Sequence, residues 1–232
     1  MIGTGLSRRT LLAALASTPV AARAARKMLY RDDFSHGLDQ WLLEAASPQA
    51  RVSAAQGVLD IDTPAGLTLW FRQPLKGPVA IAYDVRAVQA GGPQDAVSDV
   101  NAFWMAQDPA VPGGSALAAR RSGVFEDYDS LRTYYVGIGG NRNSTTRMRR
   151  YVGRAGDRPL LPAHDRTDPA AMLTPNCWFH LRLIADGAHI AVERDGETLF
   201  AMTDRHPYRS GHFGVRTTQS HIQLRKFSIT RL

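Results

Sequence analysis

From Lys27 onward the chain is a succession of short apolar and polar runs broken by turn residues, and that punctuation leaves few architectures open. Gly57-Val58-Leu59-Asp60-Ile61-Asp62 alternates apolar and polar side chains, as does Val79-Ala80-Ile81-Ala82-Tyr83-Asp84-Val85 after Gly77-Pro78. Residues 67–71, 101–106, 133–138, 146–152, 178–185, 190–194, 199–202, 213–217 and 222–230 read as further strands. Alternation places successive side chains on opposite faces of a sheet, and β-branched and aromatic residues suit that half-buried surface. Many such runs at short intervals, with no 3.6-residue period beyond the leader, indicate an all-β sandwich or barrel. Asp195-Gly196, between the runs 190–194 and 198–200, predicts a tight hairpin, because a primed turn needs two residues that accept positive φ. Segments 107–130 and 153–175 are rich in Pro, Gly and Asp and read as long loops, where binding residues gather on a rigid scaffold. With no repeat and no low-complexity linker, residues 25–232 are expected to form one β-sandwich domain.

The first 24 residues read as a targeting segment. Ser7-Arg8-Arg9-Thr10-Leu11-Leu12 sets paired arginines before an apolar run, and Ala22-Arg23-Ala24 offers a small-x-small cleavage site. The run is too short to span a bilayer, so no integral membrane segment is expected once the leader is removed. A twin-arginine signal of this kind implies a periplasmic or secreted protein. Loss of Arg8, Arg9 and Arg23 lowers the formal charge from +7 to +4. The remaining charge is concentrated: nine arginines and no lysine fall between Arg120 and Arg158, against Glu126, Asp127, Asp129 and Asp157. Cys177 is the only cysteine, which rules out an intrachain disulfide or a thiolate metal cluster.

Asp32-Asp33-Phe34-Ser35-His36-Gly37-Leu38-Asp39-Gln40-Trp41 resembles the opening of concanavalin A-like domains, and Gly211–Thr217 with Phe227-Ser228-Ile229 resembles their closing strands. Asn101-Ala102-Phe103-Trp104-Met105-Ala106, Tyr134-Tyr135-Val136-Gly137-Ile138-Gly139-Gly140-Asn141, Thr145–Tyr151 and Thr217-Thr218-Gln219-Ser220-His221 are similar to a little-characterised bacterial family of the concanavalin A-like lectin/glucanase superfamily, one associated with plant-polysaccharide breakdown. The resemblance spans about residues 29–232. It implies a jelly roll of two antiparallel sheets and a carbohydrate partner, with Asn101, Trp104 and Arg216 carried in its motifs. It also makes a structural calcium ion conceivable, for which Asp32, Asp33 and Asp204 would serve, although no spacing demands one.

Alternation puts Arg147, Arg149 and Tyr151 on one face of their strand. In the preceding strand Tyr134 points one way and Tyr135 the other, with Gly137 and Gly139 leaving room beside Tyr135. Arginine is a planar fork suited to carboxylate, so a cluster without lysine suggests a groove for an acidic glycan. The competing reading is a solvated face with ion pairs to Glu126, Asp127 and Asp129. A uronate-containing polysaccharide cleaved by β-elimination needs a cation on the carboxylate, a base for the C5 proton and an acid for the leaving oxygen. Arg147 or Arg149, with Arg142 or Asn143, is expected to neutralise the carboxylate. His221 or Tyr134 is expected to act as base and Tyr151 or Tyr134 as acid, the tyrosine pKa being lowered by nearby arginines. His164 is an alternative histidine on a loop.

Two other readings remain open on the same fold. A glycoside hydrolase needs two carboxylates across the scissile bond, for which Glu126, Asp127 and Asp129 are the candidates. A non-catalytic carbohydrate-binding module would stack sugars on Trp70, Trp104, Tyr83 or Tyr135, while Trp41 and Trp178 are expected in the core. No phosphate loop, zinc spacing or dinucleotide fingerprint occurs, and no cofactor is expected to be required. Export and the absence of lysine from the basic segment argue against nucleic acid as a partner.

Overall fold

The computed structural model of the protein describes Met1 and residues 27–232, so the targeting segment falls outside the described residues. Strands follow one another as β1 (Met28–Asp32), β2 (Trp41–Ala45), β3 (Arg51–Ala55), β4 (Val58–Thr63), β5 (Leu67–Phe71), β6 (Leu75–Lys76), β7 (Val79–Ala87) and β8 (Val100–Gln107). The second half adds β9 (Arg132–Gly139), β10 (Thr145–Val152), β11 (Asp165–Arg166), β12 (Phe179–Asp186), β13 (His189–Arg194), β14 (Glu197–Thr203), β15 (Ser210–Thr217) and β16 (Ser220–Arg231). They form two eight-stranded antiparallel sheets. One runs β14-β13-β12-β7-β16-β4-β3 with β1 beside β16; the other runs β11-β10-β9-β8-β15-β5-β2 with β6 beside β15. This is the jelly-roll sandwich expected from the sequence.

Alternation explains the first sheet directly. In β4 and β7 the residues facing the second sheet are buried and those between them are partly exposed, except Ala80, which is buried on the outer face against Ile184 and Ala191. The apolar faces meet in one core around Trp41, whose indole makes edge contacts with Phe71, Phe213 and Phe227 at centroid distances of 5.4, 6.3 and 5.0 Å. The second sheet behaves differently. Strands β5, β8 and β9 are buried along nearly their whole length, because their outer face is covered as well. That cover is the segment after β8, which packs Ala116, Tyr128 and Leu131 against Trp70, Phe103, Tyr135 and Tyr151 as a second core.

The hairpin joining β13 to β14 turns at Asp195 (φ 53°) and Gly196 (φ 87°), the two left-handed residues its sequence calls for. Trp178 departs from expectation. It is only partly buried, on the outer side of the first sheet, with the guanidinium groups of Arg86 and Arg225 over its ring at 4.8 and 4.2 Å. Among the described residues no helix is long and apolar enough to cross a membrane.

Candidate functional site

Antiparallel register lines up one residue from each strand of the second sheet. Glu44, Thr68, Arg216, Asn101, Gly137, Arg147 and Asp165 are successive cross-strand partners from β2 to β11. Directly alongside runs a second row: Leu42, Trp70, Gly214, Phe103, Tyr135 and Arg149. Where the β8, β9, β10 and β15 portions of these rows are uncovered, they floor a cleft of about 810 Å³. Asp99, Arg142, Thr218 and Gln219 stand on one wall, Phe125 and Arg158 on the other.

Among the described residues five arginines line this cleft against one carboxylate, Asp99. Arg147 is held by a fork to Asp165, its cross-strand partner, at 2.7 and 3.2 Å. Arg158 pairs with Asp129 at 2.6 Å and lies 4.6 Å over the Phe125 ring. Among the described residues Arg142, Arg149 and Arg216 make no ion pair. Arg149 donates instead to the carbonyl of Arg158. Arg216 is only 1 % exposed, and its Nη1 donates to Thr68 Oγ1 and Gly123 O, both at 3.0 Å. Its guanidinium sits 4.8 Å from the ring centroids of both Phe125 and Tyr128. Burial lowers its pKa below the usual guanidinium value, yet an arginine stays charged, so this is a cation inside the protein with no carboxylate in ion-pair contact, Asp99 acting on it only from a distance.

Around Arg216 lie polar groups with unused hydrogen-bonding capacity. Asn101 donates from Nδ2 to Asp99 at 3.3 Å, while its Oδ1 is buried without a partner. A Cβ on Gly137 would fall 2.6 Å from the Tyr135 hydroxyl and 2.9 Å from Asn101 Oδ1, so the absent side chain leaves both atoms free to face the cleft. Burial, foremost, holds the Tyr135 phenol well above 10 despite Arg216 and Arg149 nearby. Asp99 takes a left-handed backbone (φ 56°) and receives the Ser98 hydroxyl. Burial raises its pKa above 3.8, outweighing the hydrogen bonds from Ser98 and Asn101.

Arg142 reaches the cleft from an unusual turn. Gly139, Asn141, Arg142 and Asn143 all have φ between 52° and 68°, a conformation costing about 1–2 kcal/mol per non-glycine residue. Asn143 fastens the turn: its Nδ2 donates to Leu173 O at 2.9 Å and its Oδ1 accepts from Leu173 N at 2.8 Å.

The cleft thus gathers Arg142, Arg147, Arg149, Asn101, Tyr135 and Arg216, and leaves the other expected residues elsewhere. Asn143 is spent on Leu173. Trp104 points into the core between the sheets, with Nε1 3.3 Å from Ile184 O. Tyr134 faces the same core and donates to Asp204 at 2.6 Å. Burial and that carboxylate raise its pKa, so the arginines do not turn it into a base. Tyr151 is on the predicted face but wholly buried beneath Tyr135, and burial raises its pKa too. His221 belongs to β16 in the other sheet. Its Nδ1 lies 2.9 Å from Asp95 and its Nε2 3.1 Å from Asp60, so both nitrogens are committed to carboxylates and neither serves the cleft. His164 is buried, with Nε2 3.2 Å from Ala201 O.

The acidic residues are equally committed. Asp127 accepts from Ser122 N and Oγ, Asp129 from Arg158 and Gly156 N, and Glu126 lies 3.5 Å from Arg158. Asp32 receives Trp41 Nε1 and Phe34 N, Asp33 receives Ser35, and Asp204 receives Tyr134 and Arg150. Those three do not converge, and among the described residues no three His, Cys, Asp or Glu side chains are gathered as for a metal ion. Sequence reasoning missed Asp99, which lies just before its strand, and Glu44, a buried carboxylate beneath the loop cover. No pattern in the sequence marks either one.

Every strand of the cleft falls within residues 61–227, which match the family model for a domain of unknown function, DUF6250. The chain belongs to the DUF6250 family. No curated protein matches it. Among solved structures the DUF6250 sandwich is similar to a Bacillus subtilis protein of unknown function with a galectin-like fold, at TM-score 0.67 and 13% identity over 88% of this chain and 96% of that one. It is also similar to the carbohydrate-binding module CBM66 from Bacillus subtilis, at TM-score 0.54 and 9% identity over 82% and 95% of the two chains. A third similar structure is the carbohydrate recognition domain of Emp46p, at TM-score 0.56 and 12% identity over 87% and 98%. At these identities the likeness is one of fold.

Proposed function

We propose that this DUF6250 protein is an exported, carbohydrate-active protein whose cleft binds a uronate-containing glycan and cleaves it by β-elimination. The observation carrying this reading is the buried Arg216, which makes no ion pair among the described residues, beside an unpartnered Asn101 Oδ1 and the Tyr135 hydroxyl. A buried cation without an ion-pair partner is costly unless a ligand supplies one, and a sugar carboxylate matches the guanidinium fork. Carbohydrate recognition among structures of the same fold supports the substrate class, and the arginine pair ahead of a short apolar run supports export.

In the proposed reaction Arg216 and Arg149 hold the uronate carboxylate and stabilise the charge that develops as the C5 proton leaves. Asp99, raised in proton affinity by burial, takes that proton. The C5–H electron pair forms the C4–C5 double bond, and the C4–O bond breaks. Tyr135, protonated at neutral pH, gives its proton to the departing oxygen. One carboxylate and one phenol suffice for this, whereas hydrolysis would need a second carboxylate across the bond.

Incubating the protein with polygalacturonate, alginate and glucuronate polymers while following ultraviolet absorbance of the unsaturated product tests the reading. Asp99→Asn and Tyr135→Phe should each lower turnover by about 10²–10⁴-fold. The acid limb of the pH profile should lie above the ordinary carboxylate value and vanish with Asp99→Asn. New reducing ends without absorbance would replace elimination by hydrolysis. Intact glycan retained by the protein would leave a binding module.

A further inference from the structure

The cleft occupies only part of its sheet face, and the remainder is filled. Beyond Arg216 in the polar row, Thr68 and Glu44 are buried; beyond Tyr135 in the neighbouring row, Phe103 and Trp70 lie under Tyr128. The filling is a packed layer with its own buried polar hub. Glu44 accepts from Trp70 Nε1 at 2.8 Å, from the Tyr128 hydroxyl at 2.9 Å and from Arg121 N at 2.8 Å. Phe103 stacks on both Trp70 and Tyr128, with centroids 5.7 and 5.4 Å away. Backbone lies flat against the sheet beside it: a Cβ on Gly123 would meet Ala46 N at 2.4 Å, and one on Gly66 would meet Gly123 O at 2.3 Å. Such a contact between two chains of main-chain atoms admits nothing between them. At the opposite end the face stays open, with the Arg147 and Asp165 side chains 29 % and 33 % exposed.

From this we propose that the cleft is a blind one that accepts the end of an anionic glycan chain, not an internal stretch. The reducing-end charged sugar sits against Arg216, since the sugar that loses its C5 proton must carry the rest of the chain on O4, and that chain leaves over Arg147 and Arg149 toward β11. An internal segment would have to continue over β5 and β2, through the layer hung on Glu44. The proposal rests on the anionic-glycan reading and deepens it, fixing the mode of attack at chain ends.

The test counts protein per glycan chain. Asp99→Asn protein is titrated calorimetrically with size-fractionated oligogalacturonate, oligomannuronate and oligoglucuronate, each in short, intermediate and long fractions. End recognition gives one protein per chain at every length. Wild-type protein, followed chromatographically from the first minutes, then releases one short product while the polymer shrinks slowly. Several proteins per chain, rising with chain length, or an early ladder of product sizes, overturns end recognition and leaves the anionic-glycan reading standing. Failure of both proteins to bind or cleave any of the three series overturns both.

Discussion

A methyl group on Gly137 would lie 2.6 Å from the Tyr135 hydroxyl and 2.9 Å from Asn101 Oδ1, distances that real side chains do not tolerate. The backbone there is not left-handed, so alanine strains nothing else and the phenol must move. Gly137→Ala is therefore expected to weaken glycan binding at least about tenfold, equivalent to about 1.4 kcal/mol, with little change in melting temperature. An equal loss of stability would assign the glycine to packing instead. At this scale, the strand alternation of β9 and β10 made part of the cleft legible: it sorts Tyr135 from Tyr134 and aligns Arg147 with Arg149. Alternation cannot say which face of a sheet is covered, so Tyr151 shares the right face yet is sealed beneath it. Nor does it say which sheet a strand joins, and so His221 reads as available although Asp60 and Asp95 hold it. Asp99 escapes because its left-handed backbone lies outside any alternating run, and Glu44 because a lone acid in an apolar strand looks like an exposed edge.

Elements around the cleft are held by two polar clasps, one on each side. Glu44 on β2 anchors the covering layer. Removing its carboxylate in Glu44→Ala leaves the Trp70, Tyr128 and Arg121 donors buried and unpaired, which is expected to cost about 3 kcal/mol or more in urea unfolding. A loss below 1 kcal/mol would mean that water takes over these donors. On the other side, His221 of β16 clasps Asp95 in the loop that carries Asp99 to the cleft. Burial works to lower the His221 pKa, but hydrogen bonds and charge from Asp60 and Asp95 prevail and raise it above 6.5. A raised folded-state value means that this clasp contributes fully below pH 6.5 and fades as pH rises through the folded pKa. Melting temperatures of wild type and His221→Asn should therefore differ most below pH 6.5 and converge in alkali; a gap that widens upward would reverse the assignment. The long loops themselves were visible as Pro, Gly and Asp-rich stretches, but not that one of them packs as a second core. Its aromatic partners, Trp70 and Phe103, are spread over β5 and β8 and meet only through the β15 register.

Taken over the whole molecule, the arginine-rich stretch between Arg120 and Arg158 is not a uniform positive surface. Arg121, Arg147, Arg150 and Arg158 are neutralised by Asp108, Asp165, Asp204 and Asp129. What remains for a ligand is graded by depth: Arg142 exposed on its strained turn, Arg149 partly buried, and Arg216 almost fully enclosed. Salt distinguishes them, because at 0.1 M the screening length is about 10 Å for exposed charges while buried pairs are screened far less. Arg142 should act mainly at long range, drawing an anionic chain toward the cleft, and Arg216 only on contact. Affinity for oligouronate measured from low to high salt should therefore fall for the wild type. For Arg142→Ala it should start lower, fall less steeply, and meet the wild type at high salt. Arg216→Ala should lie below the wild type at every salt concentration with a similar slope. If both variants instead lost affinity in parallel, the exposed and enclosed arginines would be doing the same thing, and the division of labour between capture at the rim and fixation at the blind end would be wrong.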